Sequence, residues 1–159
     1  MGSYDTAQIC LNGHIVNSSF NKYPENSRKY CTSCGAKTII TCQKCNAEII
    51  GSYTGKYTFT SLKTVPLYCH NCGSPYPWTE EKLNSANELL ALEGSLSEEE
   101  LDYFKRNLNS ILVDTPKTKV VATKLKLAIA KTSSAVGSAL RDIFVDIASE
   151  AAKKVLFPE

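Results

Sequence analysis

Residues 31–46 read Cys31-Thr32-Ser33-Cys34-Gly35-Ala36-Lys37-Thr38-Ile39-Ile40-Thr41-Cys42-Gln43-Lys44-Cys45-Asn46. Two Cys-x-x-Cys turns stand on either side of a β-branched run. Such a turn offers two sulfurs to one ion from a single tight loop, and it is poor geometry for a structural disulfide. One further pair lies on each side: Cys10-x-x-x-His14 before, and Cys69-x-x-Cys72 after. The four pairs supply eight ligands, the number two tetrahedral zinc ions need, and none of the seven cysteines is left over. Gly35 and Gly73 follow the second and fourth pairs and Asn46 follows the third. All three are residues that tolerate φ > 0, which turns backbone amides back toward the thiolates.

Consecutive pairing gives one site of Cys10, His14, Cys31 and Cys34, and a second of Cys42, Cys45, Cys69 and Cys72. Interleaved pairing would give a cross-brace instead. The strand-like Lys37–Thr41 between the middle pairs favours the consecutive order, as does the segment 46–68, which reads as a hairpin rising between two knuckles. His70 sits inside the last Cys-x-x-Cys, and the four-cysteine site is complete without it. A helix starting seven residues beyond Cys72 is too late to supply ligands, which argues against a treble clef.

The chain has 159 residues, 43% hydrophobic and 21% charged, a globular composition. It divides by composition into a tandem zinc-ribbon domain, 1–79, and a helical region, 80–159. The first part is too short to build a large core, so zinc is expected to hold it together, at on the order of 10–16 kcal/mol per site. The fold class expected is therefore a small zinc-stapled β domain followed by α-helices. Thr38–Thr41, Glu48–Tyr53 and Lys56–Thr60 are expected as strands, with a turn at Thr54-Gly55.

In the second part Thr79 is expected to cap a helix that stops at Gly94. Ser97 and Glu100 form a capping box ahead of Leu101, Phe104, Leu108 and Ile111. Pro116 interrupts the pattern, and Val121, Leu125 and Ala128 resume it. The longest stripe is Val136, Leu140, Phe144, Ile147, Ala151 and Val155. Thr132-Ser133-Ser134 either separates two helices or lies inside one.

Catalysis is not expected. Both proposed sites are closed, whereas catalytic zinc keeps a position open. The deaminase signature, His-Glu-x-x-His, a phosphate-cradling glycine loop and Gly-x-Ser-x-Gly are all missing. No small-molecule substrate is implied. No apolar run is long enough for a membrane span, and Met1–Thr6 has no signal-peptide character. Cysteines paired for metal fit a reducing, cytoplasmic setting.

The segment Tyr4–Trp78 resembles an uncharacterised bacterial family, domain-of-unknown-function family 2321. The resemblance is carried by Thr6–His14, by Cys31–Thr38 and by Tyr68–Thr79 with its Cys69-His70-Asn71-Cys72-Gly73-Ser74-Pro75-Tyr76-Pro77-Trp78 core. It implies a bacterial, cytoplasmic zinc-ribbon protein and no particular activity. The helical half is not needed for it.

What remains is binding. A protein partner or self-assembly is the first expectation, through the stripe Val136, Leu140, Phe144, Ile147, Ala151 and Val155, because residues 80–157 are sparse in large apolar residues and the stripe needs an apolar partner surface. Residues 80–115 carry nine acids against three bases, and 116–159 eight bases against four acids, so the two segments attract each other. Nucleic acid is the alternative, with Tyr53, Tyr57, Phe59, Tyr68, Tyr76 and Trp78 as stacking faces and Lys37, Lys44, Lys56 and Lys63 near phosphates. The formal charge of +2 does not support it: seven thiolates remove seven charges and two zinc ions return four, leaving about −1. Peripheral membrane contact is a second alternative. Lys117, Lys119, Lys124, Lys126 and Lys131 favour it, and Asp142, Asp146 and Glu150 oppose it.

Overall fold

A computed structural model describes residues 2–158. The chain forms two compact units, 1–81 and 82–159, and the boundary falls inside a helix.

The first unit holds six short strands: β1 (Ser3–Thr6), β2 (Gln8–Cys10), β3 (Ile15–Asn17), β4 (Thr38–Ile39), β5 (Ile50–Thr54) and β6 (Phe59–Thr60). They make two three-stranded antiparallel sheets, ordered β1-β5-β6 and β3-β2-β4. The chain steps from one sheet to the other at Ala7, whose N–H donates to the Ile49 carbonyl at 2.8 Å. The expected strands are found in trimmed form. The run at 38–41 keeps two residues, and the one at 48–53 shifts to 50–54. The return strand shrinks to 59–60, because 56–58 form the bend that closes the hairpin. β5 is the central strand and pairs with β1 as well as with β6, so the hairpin is half of a sheet. β1 to β3 are strands that the composition of 3–17 did not single out.

The core of this unit is small. Ala7, Ile9, Cys42, Ile49, Cys69, Tyr76 and Trp78 are buried in it, with Ile39, Leu62 and Val65 packed around them. Two of its members, Cys42 and Cys69, are candidate metal ligands, so the core and one ligand group share residues. Tyr76 and Trp78 stack at 4.8 Å between ring centroids, and the Trp78 indole N–H donates to the Pro66 carbonyl at 2.8 Å.

Helix α1 spans Pro77–Ala91, two residues earlier than expected. Proline fits the first turn of a helix, where its missing N–H is not needed. Thr79 is therefore not a cap; it is buried, and its hydroxyl donates to the Leu67 carbonyl at 2.8 Å.

The second unit adds α2 (Glu98–Asn107), a 3-10 turn at Leu108–Ile111, α3 (Thr118–Ala130), α4 (Ser134–Ile147) and α5 (Glu150–Leu156). The Ser97–Glu100 capping box is formed. Ser133 caps α4 by accepting from the Val136 N–H, so residues 132–134 separate two helices. The long apolar stripe breaks again at Ala148-Ser149, where the Ser149 N–H turns aside to the Ile111 carbonyl at 2.8 Å and its hydroxyl caps α5. α3 lies against α2, α4, α5 and the 3-10 turn. Among the described residues, no helix is long and apolar enough to cross a membrane.

Candidate metal centres

Three knuckles repeat one hydrogen-bond pattern. In each, the N–H of the residue after the second cysteine donates to the first cysteine's carbonyl: Gly35 to Cys31 at 2.8 Å, Asn46 to Cys42 at 2.9 Å, Gly73 to Cys69 at 2.9 Å. The first cysteine's own N–H then donates to the carbonyl of the residue just past that turn residue, Ala36, Ala47 and Ser74 respectively, each at 2.8 Å. A single β-bridge closes each loop: Tyr30 with Lys37, Thr41 with Glu48, Tyr68 with Pro75. The turn residue has φ of +77° at Gly35, +67° at Asn46 and +75° at Gly73, as their residue types led us to expect. The fourth pair is built differently. Cys10 ends β2, Gly13 turns at φ +89°, and His14 leads into β3.

These loops bring the eight ligands into two groups, Cys10, His14, Cys31 and Cys34, and Cys42, Cys45, Cys69 and Cys72. Within each group the ligand atoms lie within 4.8 Å of one another. The pairing is consecutive; the cross-brace is not formed. Sulfur–sulfur separations are 3.7 Å for Cys10–Cys34, 3.8 Å for Cys42–Cys72 and 3.6 Å for Cys45–Cys69. A disulfide needs about 2.05 Å. Four sulfurs held at about 2.3 Å around one ion stand about 3.8 Å apart, so the residues fit a tetrahedral metal. His14 turns Nδ1 toward the first group, 3.4 Å from Cys10 Sγ and 3.7 Å from Cys31 Sγ. That choice of ring nitrogen was not legible in the sequence.

The surroundings favour thiolate at Cys31, Cys34, Cys69 and Cys72. The Cys10, Cys42 and Cys69 sulfurs accept from the N–H groups of His14, Lys44 and Asn71 at 3.3–3.4 Å. Side-chain amides add to this: Asn12 donates to Cys34 Sγ and Asn71 to Cys45 Sγ. The thiols divide into two kinds. Burial pushes Cys10 and Cys42 up. The Cys72 backbone N–H, against burial and with help from Asn71, brings Cys69 down to about 6. Cys31 is lowered chiefly by the Ser33 N–H, Cys34 by the Ala36 N–H and Cys72 by the Ser74 hydroxyl. Burial, then the charge of Cys69, holds the neighbouring Tyr76 phenol protonated. His70 is exposed, and its Nε2 donates to the Glu48 carbonyl at 3.2 Å. It is not among the ligands.

The stripe expected to meet a partner has another use. Val136, Leu140, Phe144 and Ile147 are buried in this chain, and Ala151 and Val155 are half-buried. With Leu108, Ile111, Val121 and Leu125, also buried, the helical unit has an apolar core of its own, so the stripe does not wait for an outside surface. Of the aromatics expected to stack on a ligand, Tyr76 and Trp78 are buried and Tyr53 and Tyr68 half-buried; Tyr57 and Phe59 are in the open. Tyr23 is exposed too, and that it shares the Lys22 ammonium with Phe59 was not legible because the two are far apart in sequence.

One family matches the chain, DUF2321, described as "Uncharacterized protein conserved in bacteria", over residues 3–156. The match runs through the helices, beyond the 4–78 segment on which the resemblance rested. No curated protein and no solved structure matches. A match from the first strand to the last helix makes this chain a member of the DUF2321 family of bacterial proteins, one that carries two groups of four candidate metal ligands ahead of its helices.

Proposed function

We propose that this protein is a non-catalytic assembly module, stapled by two structural zinc ions and joined to a second copy of itself through its helical unit. The observation that carries the reading is that both clusters are complete, each with four converging ligand atoms backed by N–H donors. A three-Cys-one-His set and a four-Cys set suit zinc by softness and geometry. Zinc bound there supplies cross-linking between knuckles, with no open coordination position for water or substrate. Ligands that must remain thiolates favour a reducing, cytoplasmic setting.

The assembly surface we favour is the open groove of about 580 Å³ between α2 and α3. Tyr103, Phe104 and Leu127 supply its apolar floor, Glu99 and Glu100 border one side, and Lys124 and Lys131 the other. Leu127 is 63% exposed. Lys131 and Glu100 are already paired with each other at 2.9 Å, which leaves Glu99 and Lys124 to meet the opposite charge of a second copy in a two-fold contact.

Metal analysis of the purified chain should return two zinc ions per chain, and one for Cys69→Ser. Sedimentation velocity should give a dimer that Leu127→Glu converts to a monomer at unchanged zinc content. A monomeric wild type at high micromolar concentration would remove the assembly reading and leave the zinc reading standing.

A further inference from the structure

We propose that the hairpin side of the β1-β5-β6 sheet, centred on Phe59, Tyr23 and Tyr57 with Lys22 and Lys56, binds single-stranded nucleic acid. Of the five aromatic rings exposed on this unit, three belong to the β5-β6 hairpin and to the loop tied to its sheet. Tyr57 is 87% exposed, Phe59 51% and Tyr23 41%. Tyr76 and Trp78, by contrast, are spent in the core. Exposed rings do nothing for folding here, and their faces are free to meet a planar partner.

Cations accompany each ring. The Lys22 ammonium sits 5.4 Å from the Tyr23 centroid and 5.1 Å from that of Phe59, between two exposed rings. The Lys56 ammonium is 5.2 Å from the Tyr57 centroid. Among the described residues neither lysine is in an ion pair. The Asp5 carboxylate, bonded to the same loop, is turned onto backbone: Oδ1 accepts from the Thr6 and Asn21 N–H groups and Oδ2 from that of Lys22. Asp5 keeps its charge but spends its oxygens on backbone N–H groups and not on an ammonium, so neither lysine is committed to an ion pair among the described residues.

The platform is held in place. Phe59 lies on β6, which pairs with β5, and Tyr57 is in the turn joining them. The loop carrying Lys22 and Tyr23 is tied to the same sheet, by Phe20 N–H to the Thr6 carbonyl at 2.9 Å and Ser52 N–H to the Ser18 carbonyl at 2.8 Å. Rings beside unpaired ammonium groups match a ligand that carries planar bases along a phosphodiester backbone. Paired bases hide their faces, so the match is to a single strand. An acidic peptide would satisfy the lysines and leave the rings bare.

The test uses full-length protein with its metal content measured on each sample, and fluorescein-labelled dT and U oligonucleotides, the matching DNA duplex, and a poly-glutamate peptide. The expected result is preferential binding of the single strands that weakens with salt. Phe59→Ala and Tyr57→Ala should each lower affinity by about fivefold to a hundredfold. Lys22→Ala and Lys56→Ala should each lower the salt slope by about 0.7. No binding by metal-loaded protein, equal binding to duplex or poly-glutamate, or unchanged affinity in the ring variants would overturn the proposal. None of these outcomes alters the oligomer reading, which rests on Leu127.

Discussion

Asn46 occupies the same place in its knuckle as Gly35 and Gly73 in theirs, at φ +67° beside +77° and +75°. A Cβ at Gly35 or Gly73 would meet nothing within 4 Å, so a side chain there is opposed by backbone strain alone. Gly73→Ala should therefore cost about 1 kcal/mol in a denaturant melt of metal-loaded protein, whereas Asn46→Gly should be close to neutral. An equal loss in both variants would mean that the Asn46 side chain has a role of its own. Asp5 gives a second case. Burial works to raise its carboxyl, but the N–H groups of Asn21, Thr6 and Lys22 together outweigh it and hold the group below the ordinary carboxylate value. A depressed folded value means the stabilisation is complete above the unfolded value of about 3.9 and is lost only as pH falls through the folded one. Asp5→Asn should thus cost about 1 kcal/mol, by an amount that stays flat from about pH 6 to 8. A difference that changes across that range would place the titration elsewhere.

Among the elements, the junctions of the helical unit rest on single hydroxyls. Thr118 is buried at the start of α3; its Oγ1 accepts from the Thr115 N–H at 2.7 Å and lies 2.8 Å from the carbonyls of Ser110 and Val113. Thr118→Val keeps the volume and strands those partners, at a cost of about 1–3 kcal/mol. Ser149→Ala removes the cap of a seven-residue helix and should cost about 1 kcal/mol. Thermal unfolding followed at 222 nm checks both, and a larger loss for Ser149→Ala than for Thr118→Val would reverse the ranking. The same junctions explain where periodicity misled. Ile147, Ala151 and Val155 keep helical spacing across Ser149, so the stripe reads as unbroken. The break comes from the Ser149 N–H bonding to the Ile111 carbonyl, a partner nearly forty residues away.

At the scale of the molecule, the two groups of candidate metal ligands found among the described residues both belong to one unit. Every candidate ligand lies within 1–81, and the helical unit has its own buried core. The chain's one tryptophan, Trp78, is buried in the core that contains Cys42 and Cys69. Chelation should move Trp78 emission to longer wavelength while most helical signal at 222 nm persists. Loss of both signals in one step would show that the helices depend on the staple.

The eight ligands, their consecutive pairing, the three positive-φ turns and the Ser97 cap were all legible in the amino-acid sequence. Each is written over a few neighbouring residues, and the local chain alone sets the geometry they need. The pairing of β1 with β5, the turn of His14 through Nδ1, the burial of Val136, Leu140, Phe144 and Ile147, and the sharing of Lys22 by Tyr23 and Phe59 were not. An apolar face is marked by its spacing, but what covers it depends on which distant segments pack there. Only the tertiary structure decided that the stripe at 136–147 is interior and that rings from a loop and from a distant strand share a cation.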